Sequence, residues 1–188
     1  LAVAVTIMIY QTVRRAAVGR VGISEGLKPT PRRGLLVLVS GHKAAAPAAI
    51  DYHLDAGTLD VIWLIASPQT LAVAESLAGD YRDRLTAVRW GEEYRVDPDR
   101  VEDTYNLVTR IFEREASTYQ LEPRQIIADI TGGMKPMTAG MTLACLAHDR
   151  DMQYMMALRD DKGEPRRDVP PEPVRIDTTF MPASLDLQ

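Results

Sequence analysis

The 188-residue sequence has one cysteine, Cys145, and with nothing to pair with inside the chain it can build no internal disulfide framework. Flanked by Ala144 and Leu146 in an apolar helical pattern, this thiol reads as a small buried hydrophobe, and a reducing compartment is the simple expectation. Aromatic residues make up only 6%, the formal net charge is −4, and the main body has no cluster of basic residues. Those shortages argue against binding duplex nucleic acid through its phosphate backbone, while leaving room for a specific small anionic ligand. The three histidines, His42, His53 and His148, fall in no spacing with cysteine or carboxylates that resembles a metal site, so no metal is expected. No Ser, His and Asp set can be assembled from the order of residues, and no catalytic residue is assigned. A Walker A loop and a Gly-x-Gly-x-x-Gly fingerprint are both missing, which removes support from ATP hydrolysis and dinucleotide oxidoreduction. Internal repeats and low-complexity tracts are absent too.

What is present begins with LAVAVTIMIY, ten nearly all-apolar residues, followed by Arg14, Arg15 and Arg20. Ten such residues are too few to cross a hydrocarbon core, which needs about 20 in a helix. They are read as the end of a transmembrane helix in residues 1 to 20, with the arginines as its cytoplasmic flank. Residues 1 to 33 hold six Lys or Arg against one acid, Glu25, which puts basic charge where anionic headgroups would lie. A helix packed on the domain and a leftover signal-peptide core are the alternatives. Residues 21 to 33 read as a Gly, Pro and Arg linker, 34 to 180 as one domain, and 181 to 188 as a tail.

Within the domain, strands and helices alternate. Candidate strands are LLVLV (35 to 39), VIWLIA (61 to 66), LTAVRW (85 to 90), QIIADI (125 to 130), MQYMMAL (152 to 158) and VRIDTTF (174 to 180). Most are continuous apolar runs, as expected of strands covered on both faces by helices, whereas the last alternates and reads as the return of an edge hairpin. Ser67-Pro68 and Asp97-Pro98 read as helix starts, each a capping residue before a proline. Val101, Tyr105, Val108, Phe112 and Tyr119 recur at helical spacing as one core face. The expected fold is α/β: a Rossmann-like, doubly wound, mostly parallel sheet with a C-terminal edge hairpin, preceded by an N-terminal apolar helix segment.

In that fold the first and fourth strands are neighbours where the winding reverses, and ligands sit outside their carboxyl ends. Two loops meet there, SGHKAAAP (40 to 47) and TGGMKPM (131 to 137). Gly132 and Gly133 allow close backbone approach, Pro136 suits the start of a helix whose free N–H groups favour an anion, Lys135 adds a charge and Thr131 a hydroxyl. Ser40, Gly41, His42 and Lys43 repeat the theme on the first loop, and Ser67 ends the next strand. The alternative is a tight strand-to-helix turn with a solvated lysine. The helix MTAGMTLACLAH is dense in small residues, which suits packing on the sheet and a subunit contact equally well.

Asp129-Ile130-Thr131-Gly132-Gly133-Met134-Lys135-Pro136-Met137, between a strand and a small-residue helix, resembles the second motif of the CRISPR-associated Rossmann-fold (CARF) domains, Asp-x-Thr-Gly-Gly-Thr-Lys-x-Met. The resemblance covers roughly residues 34 to 180, and SGHK lies where that family has its first ligand loop. It implies a homodimer, or higher homo-oligomer, that binds a cyclic oligoadenylate second messenger across its two-fold axis, with cyclic tetra-adenylate expected first. It also implies ligand contacts at Ser40, Gly41, Thr131, Gly132, Gly133 and Lys135; His42, Lys43, Ser67, Met134 and Met137, in or beside the same crevice, are further candidate contacts. Met134 stands where the family usually has Thr, removing a hydroxyl near the phosphates and weakening any claim that the ring is cleaved. Joined to an apolar N-terminal segment, this looks like the membrane-effector type: a single-pass inner-membrane protein with a cytoplasmic sensor that perturbs the membrane in antiviral defence, and not an enzyme. The competing expectations are a stand-alone ring nuclease and an unrelated, anchored Rossmann-like protein that binds a mononucleotide or dinucleotide.

Overall fold

The computed structural model describes residues 20 to 25, 27 to 41, 44 to 148, 150 to 166 and 168 to 181. The expected transmembrane segment and its flank up to residue 19, His42 and Lys43 lie outside the described residues. The chain divides into two compact units, one of them Gly26–Ile176.

In that unit the chain runs β2 (Gly34–Leu38), α1 (Ala45–Asp55), β3 (Val61–Ile65), α2 (Leu71–Tyr81), β4 (Ala87–Arg89), α3 (Val101–Arg110), β5 (Ile126–Asp129), α4 (Lys135–Leu146), β6 (Asp151–Met156) and the first half of β7 (Glu172–Met181). Their order across the sheet is β7-β6-β5-β2-β3-β4. All pairs are parallel except β6 with β7, which closes the expected antiparallel hairpin with Met152 opposite Ile176. The apolar runs at 35 to 39, 61 to 66 and 125 to 130 thus read correctly as strands buried on both faces. Leu35, Val37 and Val39 point to the layer of α1 and α2, with Ala49, Ile50, Ala74 and Leu77. Leu36 and Leu38 point the other way, to Val108, Ile111, Met137 and Met141 of the layer built by α3, its continuation and α4. Strand side chains alternate between faces, so one apolar run fills two cores.

The helix starts differ from the sequence reading. Ser67 and Asp97 each organise a turn first: the Thr70 amide donates to the Ser67 carbonyl, and the Asp99 amide to the Asp97 carboxylate. The helices begin afterwards, at Leu71 and Val101. Val101 is not a core residue but 38% exposed, and Thr104, Leu107 and Ile111 complete the buried stripe. Beyond Arg110 the helix loosens into a π-helical turn, Ile111–Glu115, and a 3₁₀ turn, Ala116–Tyr119. The Glu115 carboxylate anchors that stretch by accepting from Tyr94, Trp63 and Arg110.

Where α3 crosses α4, Gly140 leaves no room for a side chain: a Cβ would overlap the Val101 carbonyl oxygen and stand 2.9 Å from the Thr104 Cβ. Gly140→Leu is therefore expected to destabilise the domain by about 3 kcal/mol. Urea unfolding checks this, and an unchanged midpoint would refute the close crossing.

The other unit holds β1 (Arg20–Glu25), inside the stretch read as flank and linker, and the end of β7 from Asp177 onward. β1 stands next to β7 in strand order. Among the described residues no helix is long and apolar enough to cross a membrane.

Candidate functional site: the β2 and β5 switch point

β2 lies between β3 and β5, with Val37 opposite Asp129, so the first and fourth strands of the domain are neighbours as the doubly wound pattern requires. From β2 the chain turns to α1 on one face of the sheet, and from β5 to α4 on the other. Loops that part to opposite faces open a crevice at the strands' carboxyl ends.

The second loop is built against the end of β2. A Cβ on Gly132 would overlap the Leu38 carbonyl oxygen and lie 2.9 Å from the Leu38 carbonyl carbon and 3.5 Å from Ser40 Cβ. Only glycine lets this backbone rest on the strand, and the contact brings the two loops together. Gly133 follows with φ +78°, a left-handed conformation open to glycine at little cost. Met134 then returns to extended backbone and α4 starts at Lys135 with Pro136 in its first turn. The Thr138 hydroxyl donates to the Gly132 carbonyl at 3.2 Å, tying the turn to the helix it feeds. Lys135 is exposed and makes no ion pair among the described residues. The result is a rigid turn with a helix N-terminus and an available cation beside it, an arrangement suited to an anion.

Beneath the loop lies a buried polar group. Asp129 is 2% exposed, and its carboxylate accepts from the Thr131 amide at 2.9 Å and from Gln153 Nε2 at 3.1 Å. Burial pushes its carboxyl up from the ordinary range, while the bonds from Thr131 and Gln153 act in the opposite direction. The Thr131 hydroxyl accepts the Met155 amide at 2.7 Å, bracing the loop on β6. Cys145, in the core below α4, has its thiol pushed up to about 12 by burial and is inert packing at neutral pH.

The structure thus brings Ser40, Gly132 and Gly133 together, with Thr131 and Lys135 adjoining them in the same loop. Gly41 is exposed, with open space where a side chain would stand. Met134 is 52% exposed at the rim. Two other expected contacts are buried. Met137 is 1% exposed and belongs to the core, because Met137, Met141 and Ala144 follow the buried helical stripe; it supports the loop from below. Ser67 is 4% exposed, and its hydroxyl and amide are both engaged with the Thr70 hydroxyl, so it shapes its own turn. The sequence reading missed Gln153 and His53. A signal for His53 was available, since it follows Ala49 and Ile50 on the inward face of α1. Among the described residues no group of three or more His, Cys, Asp or Glu could hold a metal ion.

No protein-family model matches the chain, and no curated protein is similar to it in sequence. Solved structures are similar in fold. Can2 from Sulfobacillus thermosulfidooxidans, solved in complex with cyclic tetra-adenylate, superposes with a TM-score of 0.52 at 16% identity over 71% of this chain. A type III CRISPR defence DNA nuclease activated by cyclic oligoadenylate gives 0.52 at 20% identity over 79% of this chain. The matches span 36% and 22% of those longer chains, so the likeness concerns only a part of each.

Proposed function

We propose that this chain senses a cyclic oligoadenylate, cyclic tetra-adenylate first, in type III CRISPR defence. The observation that carries the reading is the Thr131–Lys135 turn, pressed through Gly132 onto the end of β2 at the switch point, with the exposed Lys135 opening α4. Support comes from two fold neighbours, one holding cyclic tetra-adenylate and the other activated by cyclic oligoadenylate. A ring of repeated adenylates offers the same phosphate and base chemistry to two copies of one site, so the sensor is a homodimer, or a larger homo-oligomer, with the ring on the two-fold axis. The apolar residues 1 to 13 contribute to an inner-membrane anchor with Arg14 and Arg15 on its cytoplasmic flank and the sensor on the cytoplasmic side, and ligand binding perturbs the membrane by favouring one arrangement of the anchors over another. The domain holds the ring without cutting it.

Calorimetric titration of the full chain with cyclic tetra-adenylate and cyclic hexa-adenylate tests this. Saturation near one ring per two chains is expected, with the ring recovered intact by chromatography. Lys135→Ala should weaken binding at least about tenfold, the loss of one charge-assisted contact to phosphate. Absence of binding to either ring would refute the reading, and a linear product would turn it toward a ring nuclease.

A further inference from the structure

Three polar side chains lie in series in the interior: His53 of α1 at 0% exposure, Gln153 of β6 at 0% and Asp129 of β5 at 2%. The Arg32 amide meets His53 Nδ1 at 3.0 Å, His53 Nε2 meets Gln153 Oε1 at 3.0 Å, Gln153 Nε2 meets Asp129 Oδ2 at 3.1 Å, and the Thr131 amide meets Asp129 Oδ1 at 2.9 Å. A backbone amide can only donate, so Nδ1 accepts and the histidine proton is on Nε2. That proton requires the oxygen of Gln153 to face His53, which turns the amide nitrogen toward Asp129. Every donor in the series therefore points toward one carboxylate. Packing alone does not call for this arrangement. Met152 and Met155, on the same strand, fill apolar space, and a third apolar residue at 153 would avoid the cost of burying an amide.

We infer that His53 and Gln153 are positioning residues for the ligand loop: they pin one oxygen of Asp129 so that the other holds the Thr131 amide and fixes the turn that meets the anion. The inference rests on the cyclic oligoadenylate reading for the identity of the ligand, but the positioning itself can be measured without one. β6 supports the same turn twice more, through the Met155 amide on the Thr131 hydroxyl and the Ile130 amide on the Gln153 carbonyl at 2.9 Å. Those two bonds persist in side-chain variants of His53 and Gln153, which isolates the effect of the series.

The test compares Gln153→Met and His53→Phe, which fill space but break the series, with His53→Gln, whose amide can accept from Arg32 and donate to Gln153. Amide hydrogen exchange at Thr131, Gly132 and Gly133 is measured on the ligand-free full chain, and affinity for cyclic tetra-adenylate on the same samples. In the two breaking variants, loop exchange is expected to rise at least about tenfold and affinity to fall about tenfold, with both restored in His53→Gln. Folded breaking variants with unchanged loop exchange would overturn the inference, as would His53→Gln behaving like His53→Phe. If Gln153→Met fails to fold, the two His53 variants decide. If the unaltered chain binds no cyclic oligoadenylate, the ligand reading falls and the exchange pattern alone decides the positioning.

Discussion

Gly132→Ala is expected to cost at least about 3 kcal/mol of stability and to abolish ligand binding. The added carbon would overlap the Leu38 carbonyl oxygen, a backbone atom that has little freedom to retreat. Leu38 is 1% exposed at the end of the central strand, opposite Ile65 on one side, with Val37 before it paired to Asp129 on the other. The loop has to move instead, pulling on the Thr131 amide bond to Asp129 and the Thr138 bond to the Gly132 carbonyl. Gly41→Ala is the control, because its Cβ would meet nothing within 4 Å and its φ is not in the left-handed region; its stability should change by no more than about 0.5 kcal/mol. Urea unfolding of both variants, with a ligand titration on each, checks the pair. A Gly132→Ala protein as stable as Gly41→Ala would mean that the loop does not rest on β2.

The second large effect is a dependence of stability on pH that belongs to His53. Burial lowers its pKa from 6.5 to about 4; the bond to Gln153 opposes this, and the nearby Arg32 charge adds to the lowering. Above pH 6.5 the ring is neutral whether the chain is folded or unfolded. As pH falls from 6.5 toward 4, the unfolded chain takes up a proton that the folded chain refuses, and stability is lost across that window. The loss amounts to about 3 kcal/mol by pH 4. Asp129 works in the opposite direction, since a raised carboxyl pKa lets the folded state gain a proton first as pH falls. Comparing the unaltered chain with His53→Gln removes the Asp129 contribution, because both proteins carry it. The unaltered chain is expected to lose about 3 kcal/mol more than His53→Gln between pH 7 and pH 4 in urea unfolding. Equal losses would mean that His53 reaches water in the folded state.

The parts of this fold that are readable from sequence are those where one physical demand dominates. LLVLV and VIWLIA can only be covered on both faces, so their length and composition specify central parallel strands, and two glycine-containing polar loops after such strands mark the switch point. Reading fails where two demands compete. Ser67 before a proline looks like a helix cap, but its turn with Thr70 wins and the helix waits until Leu71. Met137 lies inside the expected ligand motif and also on the stripe it shares with Met141, and its side chain is buried in the core. RVGISE alternates Val21 and Ile23 too briefly, around a glycine, to look different from a linker. The series from Arg32 to Asp129 draws on residues 32, 53, 129 and 153, and pairings that distant are set by sheet order, not by local pattern.

The most direct test of the central claim is a map of backbone amide shifts as cyclic tetra-adenylate is added to the full chain. Perturbation concentrated at Ser40, Gly41 and Thr131 to Lys135, saturating near one ring per two chains, is the predicted result. Saturable perturbation confined to other surfaces, or no perturbation at all, would contradict the assignment of the β2 and β5 switch point as the ligand site.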